Sequence, residues 1–465
     1  MTCPTQRPQE PGGSLEFARR SAHHWRDTLY KSFHPSEKGR TTILFGGLTL
    51  MQDRLIAAAV RSLGENYRPL PQPDYEAFRT GKAFGNRGQC NPTYFNVGNL
   101  VNYLIRLRDE EGIPTEKILR DYCYVTAGGC GPCRFGMYVT EYRKALRDAG
   151  FEGFRIFSFE HNRGIFQAVG EEESIVFGPR FFVTVARAVL LGDILNILGY
   201  RMRPYEKEPG SVDRALERCR ALLEETLARG GSAWRAMRHC RRILSAVPLD
   251  RTRRKPRVMV MGEFWAAMTE GDGNYRLQRF LEEEGAEVIP QPLVNRLLLS
   301  IWEAEYELDK RMDLPDENAP LLDLRPAARR LMIRAAKAAV VLHWRLYARA
   351  AGLDDYALPD IDHLARLARE YYPLDASGGE GHMEVAHLLE SLEKNLAHLV
   401  ISVKPFGCMP SSAVSDGIQS LVTARHPEAN FLSVETSGEG AVNFYSRIQM
   451  ALFKAKEMAA RESDA

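Results

Sequence analysis

Eight cysteines are spread over the 465 residues: Cys3, Cys90, Cys123, Cys130, Cys133, Cys219, Cys240 and Cys408. Four of them fall where a ligating thiol is best placed. Cys130 and Cys133 follow the strand-like segment DYCYVT (121–126), and Cys133 stands at the start of a helical pattern. Cys408 lies in KPFGCMPSS, between another strand end and another helix start. Cys90 closes the glycine-rich stretch RTGKAFGNRGQC ahead of a helix. In open parallel sheets, sites form outside the carboxyl ends of the strands. Helix N-termini there present unpaired N–H groups and partial positive charge, which favour an anionic thiolate and lower a thiol's pKa. Gly128, Gly129, Gly131 and Gly407 would let backbone approach a bulky inorganic group. Pro92, Pro132 and Pro410 would stiffen the loops and are tolerated at helix starts.

The N-terminal MTCPTQRPQEPGGS has no apolar core of the kind a secretory signal needs. A cytoplasmic protein is therefore expected, with metal or redox use of the cysteines rather than disulfides. Zinc is one possibility, but structural zinc sites usually come as two paired C-x-x-C knuckles. Only Cys130 and Cys133 form such a pair, and Cys90 and Cys408 are far away in sequence. That spacing suits an iron–sulfur cluster buried between two large domains better than a zinc ribbon. Cys123, alternating with Tyr122 and Tyr124, reads as a core residue, while Cys3, Cys219 and Cys240 read as structural or incidental. Glu263 after a strand end, His161 with Asn162 after another, and Glu435 in the last α/β unit are weaker candidates for lining a site. Asp416, Ser437 and Glu439 are more simply explained as caps and turns. GGEGH (378–382) is read as a substrate loop or a helix-initiating turn. No P-loop motif is present, and no dinucleotide fingerprint follows a strand, so neither ATP hydrolysis nor NAD binding is expected of this chain.

The elements that must hold these residues read as alternating strands and helices. TILFGG (42–47) is a short buried strand pattern, followed by a helix from Leu50 to Leu63. Tyr67 to Leu70 is a second strand, 79–90 is loop, and a helix runs from Phe95 to Arg108. Strand 121–126, a helix from 136 to 149 and strand 153–159 complete a parallel layer. Residues 181–247 read as helical throughout, with a basic amphipathic stretch at Arg235, Arg238, Arg241 and Arg242, and RTRRKPR (251–257) as a basic connector or, with that stretch, a docking surface for a partner protein. A second unit begins with strand 257–262 and continues with helix 273–284 and strand 286–289. After a mostly helical insertion it resumes with strand 399–403, helix 412–424, strand 431–434 and helix 441–459. The expected organisation is an irregular leader (1–40), a first α/β domain (41–180), a helical connecting region (181–255) and a second α/β domain (256–465). The second domain carries a helical insertion at about 293–395. Lys and Arg number 62 against 60 Asp and Glu, so no global charge points to nucleic acid or an anionic membrane. The longest apolar runs, such as 338–342, are too short to cross a membrane.

Six segments, in order along the chain, resemble the 2-hydroxyacyl-CoA dehydratase superfamily. They are CNPTYFNVGNLVNYL (90–104), AGGCGPCRFGMYVTEYRKAL (127–146), FSFEHNRG (157–164), GEF with GDGNYRLQRFLEEEGAEV (262–288), KPFGCMPSSAVSDGIQS (404–420) and VETSGEGAVNFYSRIQMALFKAK (434–456). The activase-related branch is the most similar. The resemblance implies two Rossmann-like parallel-sheet domains and a [4Fe–4S] cluster on cysteines from different domains. It implies Cys90, Cys130 and Cys408 as ligands, with Cys133 as a fourth ligand or a neighbouring thiol. It further implies a dimer and a separate ASKHA-type ATPase that delivers low-potential electrons for a difficult reduction or radical dehydration. Two alternatives stand beside that reading. One is a non-catalytic cluster-bearing or scaffold protein assisting another enzyme's activation. The other is a double-cubane small-molecule reductase. No residue here matches an acyl-CoA-binding position, and the chain has no ATPase portion of its own.

Overall fold

The computed structural model describes residues 33–37, 39–128, 133–160, 167–169, 175–312, 325–376, 379–412 and 416–464. Among them stand two four-stranded sheets, parallel throughout, each flanked by helices, so the α/β class with two parallel sheets is observed.

The first sheet has the order β2-β1-β3-β4, with β1 at Thr42–Phe45, β2 at Tyr67–Pro69, β3 at Tyr122–Gly128 and β4 at Arg155–Glu160. Its strands are short and almost wholly buried, as expected where helices cover both faces. Five helices accompany it: α1 (Leu50–Arg61), α2 (Tyr75–Phe84), α3 (Asn91–Asp109), α4 (Thr115–Asp121) and α5 (Tyr138–Asp148). Helix α1 starts at a capping box, in which Thr49 and Gln52 satisfy each other's backbone N–H groups. A short antiparallel hairpin follows, β5 (Gln167–Val169) with β6 (Ile175–Phe177).

Three helices then form the connecting region: α6 (Pro179–Met202), α7 (Ser211–Ala228) and α8 (Ala233–Ser245). The second sheet has the order β10-β9-β7-β8, from β7 (Arg257–Gly262), β8 (Glu287–Ile289), β9 (Leu399–Pro405) and β10 (Phe431–Thr436). Between β7 and β8 come α9 (Phe264–Met268) and α10 (Leu277–Glu283). The insertion consists of α11 (Leu293–Met312), α12 (Arg325–Ala351), α13 (Ile361–Ala368) and α14 (Met383–Lys394), and the chain closes with α15 (Asp416–Arg425) and α16 (Ala441–Asp464).

Four sequence expectations are corrected. The expected loop over 79–90 is half helix: α2 runs to Phe84, started by Asp74, whose carboxylate accepts the Ala77 N–H at 2.8 Å. Gly81 is helical, and with Gly98 of α3 it lets the two helices pack backbone to backbone. Helix α4 was not anticipated. Residues 181–247 are three helices rather than one continuous stretch, broken at 203–210 and 229–232. Finally, one apolar segment does have membrane-spanning length: the helix from Pro179 to Tyr205, with mean hydropathy 1.9. Of that segment's most apolar window, 56 % is buried inside the fold, which makes α6 a core helix. Asp193, the charge that interrupts it, is itself buried. It accepts the N–H groups of Leu293 and Val294 at 3.0 and 2.8 Å and so anchors the start of the insertion.

Contacts between the two sheet units are direct. The Leu50 N–H donates to Glu270 at 2.8 Å and the Tyr75 N–H to Asp272 at 3.0 Å. The Phe95 and Trp265 rings lie 5.6 Å apart. The glycine-rich segment 269–274 serves this junction, as a turn under the first unit rather than a phosphate loop.

Candidate metal centre

Cys90 is the N-cap residue of α3, with Pro92 in the first turn, and it is buried. The loop before it is pinned by one carboxylate. Buried Glu141 of α5 accepts the Asn86 N–H at 3.1 Å, Asn86 Nδ2 at 2.7 Å and Gln89 Nε2 at 3.0 Å. Cys408 follows β9 at the equivalent end of the second sheet and is also buried. The two cysteine loops touch: the Asn91 N–H donates to the Phe406 carbonyl at 2.9 Å. Gly407 makes the approach possible. Its φ is +77°, and a Cβ there would sit 3.0 Å from the Gln89 carbonyl oxygen and 3.2 Å from Cys90 Cα.

Cys133 caps the 3-10 turn Arg134–Met137 ahead of α5 and is half-buried. It lies within electrostatic reach of Cys90. Cys130 and His161 lie outside the described residues. Glu263 caps α9 at the end of β7, where it is half-buried and accepts the Ala266 N–H at 2.9 Å. It is close enough to both Cys133 and Cys408 to oppose their ionisation. Glu435 is exposed on β10, in register with Lys404. Ser437 closes a turn with Glu439, and Asp416 is paired with Lys404, in keeping with the cap and turn reading.

Sequence reasoning missed a ring of polar side chains around the thiols. Thr93 Oγ1 lies 3.0 Å and the Tyr138 hydroxyl 3.4 Å from Cys90 Sγ. Cys408 Sγ–H donates to Ser411 Oγ at 3.3 Å, and Ser411 donates onward to Glu384 at 3.2 Å. The signal was available. Cys90-Asn91-Pro92-Thr93, Cys130-Gly131-Pro132-Cys133 and Cys408-Met409-Pro410-Ser411 are three copies of one pattern, with a hydroxyl or thiol three residues after the cysteine. At a helix start, that spacing turns the later group back toward the capping one. Glu380 and Glu384 come from GGEGH and the start of α14. They are buried beside Glu263, and only Glu380 lay in a segment the sequence had marked.

The electrostatics reverse one expectation. Helix N-termini were expected to lower these thiols' pKa values, but burial dominates. It pushes Cys133 up to about 11 and raises Cys408, in each case with Glu263 adding to the rise. Burial also lifts Glu263 to about 7, against two backbone N–H bonds, and Glu380 to about 8, against the pull of Arg296. Without a cation, the interior thus favours neutral thiols and carboxylic acids. A bound metal would reverse this for the thiols, because its own charge dominates the local field.

No protein-family model matches this chain, and no curated protein matches it.

Among the described residues, no three His, Cys, Asp or Glu side chains stand together closely enough to hold a metal ion. The donor chemistry nevertheless fits a soft, thiolate-ligated group. Two buried cysteines and one half-buried cysteine come from both sheets and have hydroxyl groups beside two of their sulfurs.

Proposed function

We propose that this chain is an iron–sulfur protein of the 2-hydroxyacyl-CoA dehydratase type. Its cysteine site would take low-potential electrons from an ATP-dependent activator and use them for a difficult reduction or a radical dehydration. Cys90, Cys130 and Cys408 would hold the cluster, with Cys133 as a fourth ligand or neighbouring thiol. The observation that carries the reading is the meeting of the Cys90 and Cys408 loops. They come from different sheets and are joined by the Asn91–Phe406 hydrogen bond. A [4Fe–4S] group bound there would supply one-electron chemistry at a potential set by the surrounding hydrogen bonds and burial. In the chain itself, Thr93, Tyr138 and Ser411 stand beside the sulfurs, and burial raises the pKa of Glu263 to about 7 and of Glu380 to about 8. Carboxyl groups in that range are suited to proton transfer, and reduction of an organic substrate consumes protons together with electrons.

The deciding measurement is iron and acid-labile sulfide per chain after oxygen-free purification. About four of each indicates one cubane, and about eight indicates the double-cubane alternative. Cys408→Ser is expected to lose the iron. Cys219→Ala, which alters a fully buried thiol between α7 and α8, is expected to keep it. Zinc without sulfide, or full iron retention in Cys408→Ser, would overturn the assignment.

A further inference from the structure

Helix α8 separates its residues cleanly by face. Ala233, Ala236, Met237, Cys240 and Leu244 are buried. Trp234, Arg235, Arg238, His239, Arg241 and Arg242 are exposed. At about 100° per residue, the exposed group covers one continuous arc of about 160°. The helix contains no Asp or Glu.

The arginines on that arc stand together with no carboxylate among them. On the neighbouring α7, Arg214, Arg220 and Arg229 are each paired with a glutamate. On α12, which also packs against α8, Arg330, Arg334 and Lys337 are each paired with a carboxylate. Among the described residues, Arg235, Arg238, Arg241 and Arg242 form no ion pair. Arg238 lies over the exposed Trp234 ring at 5.0 Å from its centroid, which holds both side chains at the surface. Arg235, Arg238 and Arg242 are spaced three and four residues apart, so they form a straight row along the helix.

We propose that this face of α8 docks an acidic protein surface, with carboxylates arranged in a matching row. Two features favour that partner over other polyanions. The arc offers only one large apolar side chain, Trp234, too little to insert into a bilayer. The whole chain is close to neutral, so the positive field is local and matches a protein-sized patch rather than a long polyelectrolyte. The proposal is independent of what the cysteine site binds.

The test uses the full chain and three fluorescently labelled probes: a helical peptide with glutamates at i, i+3, i+4 and i+7, a short DNA duplex, and phosphatidylserine vesicles. The peptide is expected to bind at low salt. Its affinity is expected to fall by about tenfold or more in Arg235→Glu/Arg238→Glu/Arg242→Glu. The corresponding triple Gln variant should fall in between, with unchanged circular dichroism in both. Failure of the peptide to bind, or binding unaffected by charge reversal, overturns the proposal. So does tighter, reversal-sensitive binding of the duplex or the vesicles, which would assign the face to a different class of polyanion.

Discussion

Cys90 and Cys408 each carry a hydroxyl three residues further along, and the two hydroxyls are not equivalent. Ser411 is held by Glu384 and relays between that carboxyl and the thiol, whereas Thr93 shares Cys90 with Tyr138. Hydrogen bonds to sulfur ligands stabilise the more negative, reduced state of a cluster. Ser411→Ala and Thr93→Ala are therefore expected to keep their iron while shifting the reduction potential to more negative values. Ser411→Ala should shift it less, because Ser411 accepts from the thiol and gives its own proton to Glu384. A redox titration followed by electron paramagnetic resonance would show this. An unchanged potential in both variants would mean that the hydroxyls serve only to start their helices. At this scale the four cysteines, Glu263 and the turn residues of the last unit were legible as types at element ends. Glu384 and Tyr138 were not, and Glu380 was legible only as part of GGEGH. Their role exists only when α14 and α5 are brought against the loops.

The element that places Cys90 is α3, and its position depends on backbone contact with α2. A Cβ at Gly98 would lie 1.8 Å from the Ala77 carbonyl oxygen, and one at Gly81 would lie 1.9 Å from the Tyr94 carbonyl oxygen. Neither neighbour can yield, since both are helical backbone. Gly98→Ala is expected to destabilise the protein by about 1–3 kcal/mol or more, read from urea unfolding. It should also reduce iron content by displacing the helix that begins at Cys90. Gly417 in α15 has no neighbouring atom within 4 Å. Gly417→Ala should therefore be neutral or stabilising by up to about 1 kcal/mol. Equal effects of the two substitutions would contradict the close-packing account. Sequence periodicity located most strands and helices to within a few residues, with β7 matched at both ends. It misread α2 because glycine and lysine suggest a loop, and only the partner helix reveals why glycine is needed.

Across the molecule, several carboxyl groups have pKa values raised by loss of water around them. Burial lifts Asp53 to about 8, Glu380 to about 8, and Asp193 and Glu263 to about 7. In the unfolded chain such groups ionise near 4. Between those values the folded state binds more protons than the unfolded one, so stability falls as pH rises. His382, lowered to about 4 by burial, acts in the opposite sense between about 4 and its unfolded value near 6.5. The net decline should therefore be clearest from about pH 6.5 to 8 and should flatten above that. Melting temperature measured across this range is expected to drop, and Asp53→Asn should lessen the drop. A melting temperature that holds steady or rises from neutral to pH 8 would show that these carboxyls ionise without cost.

Local sequence determined the parallel α/β class, the order of the strands along the chain and the placing of Cys90, Cys133 and Cys408 at strand and helix ends. Those follow from short-range rules: hydrophobic period, capping, and where glycine and proline can stand. Tertiary structure alone decided that the Cys90 and Cys408 loops meet and that Glu141 pins one of them. It also decided that α6 is a core helix and that burial outweighs the helix ends in setting the thiols' protonation. Each of these depends on groups distant in sequence and on the loss of water around them. Neither the distance nor the dielectric is written into the residues nearby.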